Sequence, residues 1–146
     1  MRTTHYAGLL RARGFTLIEI MVVVVIIGLL AAIVAPNLIG NIDRAAVTRA
    51  KADIRAIDSA LSLYRLDNFR YPTTDEGLQA LVTNPGESSA PNWKQYLRSV
   101  PPDPWNNEYQ YISPGQHLEF DVFSYGADGQ EGGEGINADI GNWNLN

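Results

Sequence analysis

The chain has no cysteine. No disulfide can staple it, and it has neither a thiol nucleophile nor a cysteine metal site. Cations are missing from its C-terminal third. After Arg98 there is no Lys or Arg, while Asp103, Glu108, Glu119, Asp121, Asp128, Glu131, Glu134 and Asp139 all fall there. The formal net charge is −5, a sign that disfavours nucleic acid as a partner. Histidine is scarce too. His5 lies near the N-terminus, and His117 stands at a turn–strand junction with no nucleophile motif around it. It reads as a surface residue. Gly126-Ala127-Asp128-Gly129 has no Lys or Ser/Thr after it at the spacing of a phosphate loop. No catalytic constellation emerges, and the chain is not expected to be an enzyme.

Charge is also absent from Ile20 through Ile42, a run of 23 residues. A bilayer core needs about 20 apolar residues in a helix. The leader before the run carries Arg2, Arg11 and Arg13 and no acid. Basic flanks stay in the cytoplasm, so the rest of the chain is expected on the other side of the membrane. A secretory signal cleaved near Ala31-Ala32 or Ala35 is the competing reading of the run. Glu19 argues against it, because a carboxylate this close to hydrocarbon costs about 3 kcal/mol. Either Glu19 reaches back to the interface, or it meets a cation within the membrane. A cut between Gly14 and Phe15 would create such a cation, the new amino terminus four residues before Glu19.

Gly14-Phe15-Thr16-Leu17-Ile18-Glu19 after a short basic leader resembles the processing site of type IV pilins and pseudopilins. The resemblance implies that a prepilin peptidase cuts between Gly14 and Phe15, that Phe15 is then N-methylated, and that Glu19 guides assembly.

Beyond the run, Ile39, Ile42, Ala46, Ala50, Ile54, Ile57, Leu61 and Tyr64 recur at spacings of three or four, one apolar stripe on an amphipathic helix. A helix from about Thr16 to about Asp67 would have about 52 residues and a length of roughly 80 Å. Its C-terminal half should be covered by the domain and its N-terminal half by other subunits. Gly28 and Pro36 are its expected weak points, where a break is easiest. The helix should stop near Asn68, because Pro72 disfavours helical angles at Tyr71. Thr73-Thr74-Asp75-Glu76 then reads as the start of a short second helix through Val82, ended by Asn84-Pro85-Gly86. The stretch Trp93-Lys94-Gln95-Tyr96-Leu97 fits one helical turn, and Val100 to Pro104, with three prolines, fits no regular element. Tyr109 to Ile112 and His117 to Ser124 read as strands of an antiparallel hairpin, the second with Leu118, Phe120 and Val122 on one face. Gly126 to Gly141 reads as an irregular loop.

Two further stretches narrow the resemblance. Leu66-Asp67-Asn68-Phe69-Arg70-Tyr71-Pro72-Thr73-Thr74 with Gly77-Leu78-Gln79-Ala80-Leu81-Val82, and Asp103-Pro104-Trp105-Asn106-Asn107-Glu108-Tyr109, are similar to the major pseudopilins of the type II secretion system. That family usually has Gly where Asn106 or a neighbour stands. With Asp139-Ile140-Gly141-Asn142-Trp143 the similarity covers nearly the whole chain. It implies an α+β, type IV pilin-like fold, with a long N-terminal helix on a small antiparallel sheet domain. The divisions expected are a leader over 1–14, a membrane and assembly segment over 15–39, and a soluble domain over 40–146.

The loop after Ser124 is the one metal candidate. Calcium takes six to eight oxygens in a flexible cage. The glycines let carbonyls turn inward, and Asp128 and Asp139 supply charge with Glu131, Glu134 and Asn137 nearby. From the residues alone, a calcium site and a solvated acidic loop both remain open. The resemblance implies calcium, held by Asp128, Asp139 and the backbone oxygen of Tyr125, with Asn137 as a replacement ligand because Ala138 stands where many relatives have an acid. A core this small is marginal by itself, so a metal or subunit packing is a plausible staple.

The function implied is that of a subunit polymerising into a secretion pseudopilus that drives folded proteins across the outer membrane. The partners implied are further copies of the chain, the prepilin peptidase, minor pseudopilins, an inner-membrane assembly platform with its ATPase, and membrane lipid. The expected location is the inner membrane, single-pass, with the C-terminal domain in the periplasm. An adhesive or motility pilin is the near alternative, disfavoured by the missing disulfide. A monomeric membrane-anchored binding domain is the other.

Overall fold

The computed structural model describes the backbone of residues 14–145 and their side chains except those of 35–39. The expected leader arginines, and the side chains of Pro36 and Ile39, lie outside the described residues. The chain divides into two compact units, Met1–Ile39 and Gly40–Asn146.

Helix α1 spans Leu17–Asn68, 52 residues, within one residue of the expected bounds at each end. It is assigned as one element across Gly28 and Pro36. In the first unit Thr16 precedes it. The Glu19 amide donates to Thr16 Oγ1 at 3.3 Å, and the Thr16 amide reaches back to Glu19 Oε2 at 3.5 Å. This is a capping box with one long arm. Over Leu17–Val34 the mean hydropathy is 3.1, and none of the window is buried, so the helix is long and apolar enough to cross a membrane.

In the second unit the stripe on α1 is buried from Ala50 upward. Ile54, Ile57, Leu61 and Tyr64 are sealed, whereas Ile42 is 66% exposed. The helix ends in a left-handed residue, Phe69 at φ 60, whose amide donates to the Arg65 carbonyl at 2.7 Å.

The expected second helix is only a 3-10 turn, Leu78–Leu81. Its anticipated start forms: Thr73 and Glu76 exchange side-chain bonds, at 2.8 Å to Glu76 Oε2 and 3.2 Å to Thr73 Oγ1. Gly77 then turns the chain out of helical space, with φ 59 and ψ −167. The helical turn expected at Trp93 to Leu97 is not formed. The amides of Tyr96 and Leu97 instead both donate to the Leu81 carbonyl at 3.0 Å, and the Trp93 indole N–H donates to the Ala80 carbonyl at 2.7 Å. These contacts hold the segment along the 3-10 turn.

Three strands form an antiparallel sheet in the order β1 (Gln110–Ile112), β2 (Asp121–Ser124), β3 (Ile140–Gly141). Tyr111 pairs with Val122, and Phe123 with Gly141. The hairpin is as expected, but β2 lacks its first half. His117 to Phe120 bend around the Asp121 carboxylate, leaving Leu118 50% exposed. β3 falls inside the stretch expected to be irregular. The core joins the α1 stripe to Leu78, Leu81, Tyr109, Tyr111, Phe120, Val122 and Ile140.

Candidate assembly segment and metal loop

At the N-terminal end, Gly14 is exposed and Phe15 is 78% exposed, so the expected Gly14–Phe15 cut lies on accessible chain. Glu19 is exposed, and among the described residues its carboxylate bonds only to the Thr16 amide, at 3.5 Å.

The C-terminal loop leaves β2 at Ser124 and returns through a 3-10 turn, Gly135–Asn137, to β3. Two glycines fold it on itself. A Cβ added at Gly133 would stand 2.5 Å from the Asn137 carbonyl oxygen, and one at Gly126 would stand 2.9 Å from it. Both residues have positive φ, 83 and 71 respectively, and the close approach demands glycine. The Ala127 amide donates to the Ile136 carbonyl at 2.9 Å across the loop.

Within this loop the predicted ligands divide. Asp139, half-buried, accepts the Gly132 amide on Oδ2 at 3.0 Å, while its Oδ1 is buried without a hydrogen-bond partner. Asp139 shares a cleft of about 170 Å³ with Tyr125 and Glu131. Asp128 is exposed, accepts the Gln130 amide at 3.2 Å, and does not line that cleft; nor does Asn137. Among the described residues no three His, Asp or Glu side chains converge as a metal cluster. The fit to calcium therefore rests on the orphaned Asp139 oxygen in the cleft it shares with Tyr125 and Glu131, an oxygen donor of the kind this ion takes.

Two acids that carry the local architecture were not singled out from the sequence. Asp121, 3% exposed at its side chain, accepts the amides of Gln116, His117 and Leu118 and the His117 ring Nδ1 at 3.0 Å. Burial pushes its carboxyl up, but these donors together hold it below the ordinary carboxylate range. The His117 ring stacks on Trp143, with centroids 4.0 Å apart. Asp103 is buried, accepts the Trp105 and Asn107 amides on Oδ1, and is bonded through Oδ2 to the Ser124 hydroxyl at 2.5 Å. A signal for Asp103 was available: an acid just before Pro-Trp-Asn is a good Asx-turn residue.

The family described as "Type II secretion system (T2SS), protein G" matches residues 37–143, and the "Prokaryotic N-terminal methylation motif" matches residues 9–35. The chain belongs to the type II secretion system protein G family. It is similar to type II secretion system core protein G of Vibrio cholerae, 57% identical over 134 residues, covering 90% of this chain and 92% of that protein. The corresponding protein of Pseudomonas aeruginosa is 57% identical over 133 residues, covering 89% and 94%. Among solved structures, the major pseudopilin from the type 2 secretion system of enterohaemorrhagic Escherichia coli superposes with a TM-score of 0.63 at 46% identity, covering 74% of this chain and 95% of that one.

As a protein G family member the chain is a structural pseudopilin subunit of the secretion system and not an enzyme. The methylation motif and the apolar helix fit a membrane-anchored component. The departure at Asn106 has a backbone reason. This residue sits at φ 70, where glycine is easiest and asparagine is among the few other residues tolerated.

Proposed function

We propose that this pseudopilin is held in the inner membrane as a single-pass precursor, is cut by the prepilin peptidase between Gly14 and Phe15, is N-methylated at Phe15, and polymerises into a helical pseudopilus. The domain after the span lies in the periplasm, where growth of the filament drives folded proteins through an outer-membrane pore. Minor pseudopilins and an inner-membrane platform complete the machinery, with lipid surrounding the stored subunit.

The observation that carries this reading is the first unit. Its span from Leu17 to Val34 leaves every large apolar side chain uncovered, and among the described residues the one carboxylate near it has only a long bond to a backbone amide. In a filament the neighbouring helices bury those side chains, and the amino terminus of an adjacent Phe15 offers Glu19 a full charge in place of that amide. Joining different faces of identical copies makes an interface that does not close, hence a fibre.

We assign Asp139 and the Tyr125 carbonyl to a calcium site, onto which Asp128 and Asn137, outside the Asp139 cleft, would close to complete the shell. When bound, the ion neutralises the two aspartates and ties the loop where no disulfide can. Asp139 Oδ1 supports the site most directly, as a buried anionic oxygen in want of a partner.

The test is Glu19→Ala in the full-length chain. Loss of filaments with normal membrane insertion supports the assembly role. Undiminished filaments would refute it, and function without any filament would favour the anchored monomer.

A further inference from the structure

We infer that the Glu131 carboxylate is a ligand of the calcium site, the second negative charge beside Asp139. This rests on the calcium reading above and adds a residue to it.

The path of the chain sets Glu131 in place. Gly132 and Gly133 follow it, both at positive φ, 94 and 83. They fold the backbone onto the Asn137 carbonyl and deliver the Gly132 amide to Asp139 Oδ2 at 3.0 Å. Glu131 is therefore the neighbour of a residue bonded directly to Asp139, and both acids line the cleft of about 170 Å³. That bond occupies one oxygen of Asp139 and leaves the buried one, Oδ1, without a partner. The Glu131 side chain makes no hydrogen bond or ion pair among the described residues.

Two carboxylates in one cleft repel, and a cation shared between them removes the repulsion. The chain itself supplies none. No Lys or Arg lines the cleft, and none follows Arg98 in the sequence. The other polar side chains there are committed elsewhere. Both oxygens of Asp121 accept backbone amides, and His117 Nδ1 is bonded to Asp121. The cation must come from solution, and the donors are oxygens, which select a hard ion. A glutamate can also hold calcium through both carboxylate oxygens. Glu134 lies in the same loop with the same charge, but it does not line the cleft. It is the built-in control for position against mere charge.

The test uses the full-length chain in detergent with terbium as a luminescent stand-in for calcium, excited through the Trp143 indole that lines the cleft. Displacement by calcium then gives Kd. Glu131→Gln is expected to raise the calcium Kd about tenfold or more, since affinity follows the charge count of the ligands. Its Tm in chelator should stay at or above that of the parent, because the lost charge had no partner to stabilise. Glu131→Asp, which keeps the charge on a shorter arm, should recover part of the affinity. Glu134→Gln should leave Kd nearly unchanged, because that charge is solvated and screened. A parent-like Kd in Glu131→Gln overturns the assignment. So does a Tm in chelator that falls as far as the calcium response does, the mark of a structural residue. An equal loss from Glu134→Gln overturns it as well, since it would show a diffuse field and no ligand. A parent chain whose Tm and terbium signal both ignore calcium refutes the calcium site itself and takes this assignment with it.

Discussion

Arg70 grips Glu76 with both arms of its guanidinium, Nη1 to Oε2 at 2.7 Å and Nη2 to Oε1 at 2.8 Å. The same side chain donates to the Ser89 carbonyl at 3.0 Å and the Tyr71 carbonyl at 2.9 Å. Arg70, two residues past the end of α1, thus holds the turn before the 3-10 segment and the loop after it. The pair is partly buried, 32% and 17% exposed at the side chains. Arg70→Ala should lower unfolding free energy by about 2–3 kcal/mol, since it strands Glu76 and frees two loops. Arg70→Lys should recover only part of that, because an ammonium cannot reproduce the fork. Denaturant unfolding of the three proteins checks both.

Gly77→Ala tests why the second helix is missing. At φ 59 and ψ −167 an alanine is strained although its Cβ would meet only the Thr74 carbonyl at 3.7 Å. The expected cost is about 1–3 kcal/mol with little change in far-UV dichroism. A gain in helicity without loss of stability would show that the capping residues, not Gly77, decide the local path.

These two positions also show what the sequence could convey. The bounds of α1 were legible because period, charge spacing and Pro72 all agreed, over 52 residues. So were the hairpin and the capping pair at Thr73 and Glu76. The helix after Gly77 was overestimated because a glycine's left-handed angle is invisible in composition. The first half of β2 was overestimated because alternation at His117 to Phe120 looks the same whether amides join a sheet or turn onto Asp121. β3 was missed because two residues, one of them glycine, carry no period; the ring of Trp143 covers Gly141 where a Cβ would stand 2.3 Å away. For the metal loop, the acids were legible, but which oxygen would be left without a partner was not. That depends on how Gly126 and Gly133 clamp Asn137.

Alkaline pH should unfold the second unit over a definite window. Burial pushes the Tyr111 phenol up to about 12, and burial with the Asp67 bond pushes Tyr96 up to about 12. Burial and Asp53 raise Tyr109 as well. Each is neutral in the fold and ionises near 10.0 when unfolded. Their contribution is complete below pH 10 and is lost as pH rises from 10 through 12. Tyrosine absorbance and Tm followed across that range should change together. Free titration of all seven tyrosines at pH 10 in folded protein would contradict the packing described.

Calcium should raise Tm of the detergent-solubilised chain, by an amount equivalent to about 2.7 kcal/mol at a hundredfold excess over Kd. Asp139→Asn should remove most of that response, and Asp128→Ala should remove much of it. Magnesium, which prefers a smaller octahedral shell, should replace calcium poorly. A Tm that calcium leaves unmoved would leave Asp139 Oδ1 without the partner assigned to it.

Assembly through Glu19 requires the free amino terminus of Phe15 that it is proposed to meet. Mass spectrometry of the native protein purified from membranes reads it directly. A chain beginning at Phe15 and carrying one added methyl group is the predicted result. A chain that retains Met1, or one that begins beyond Ala35, would contradict it.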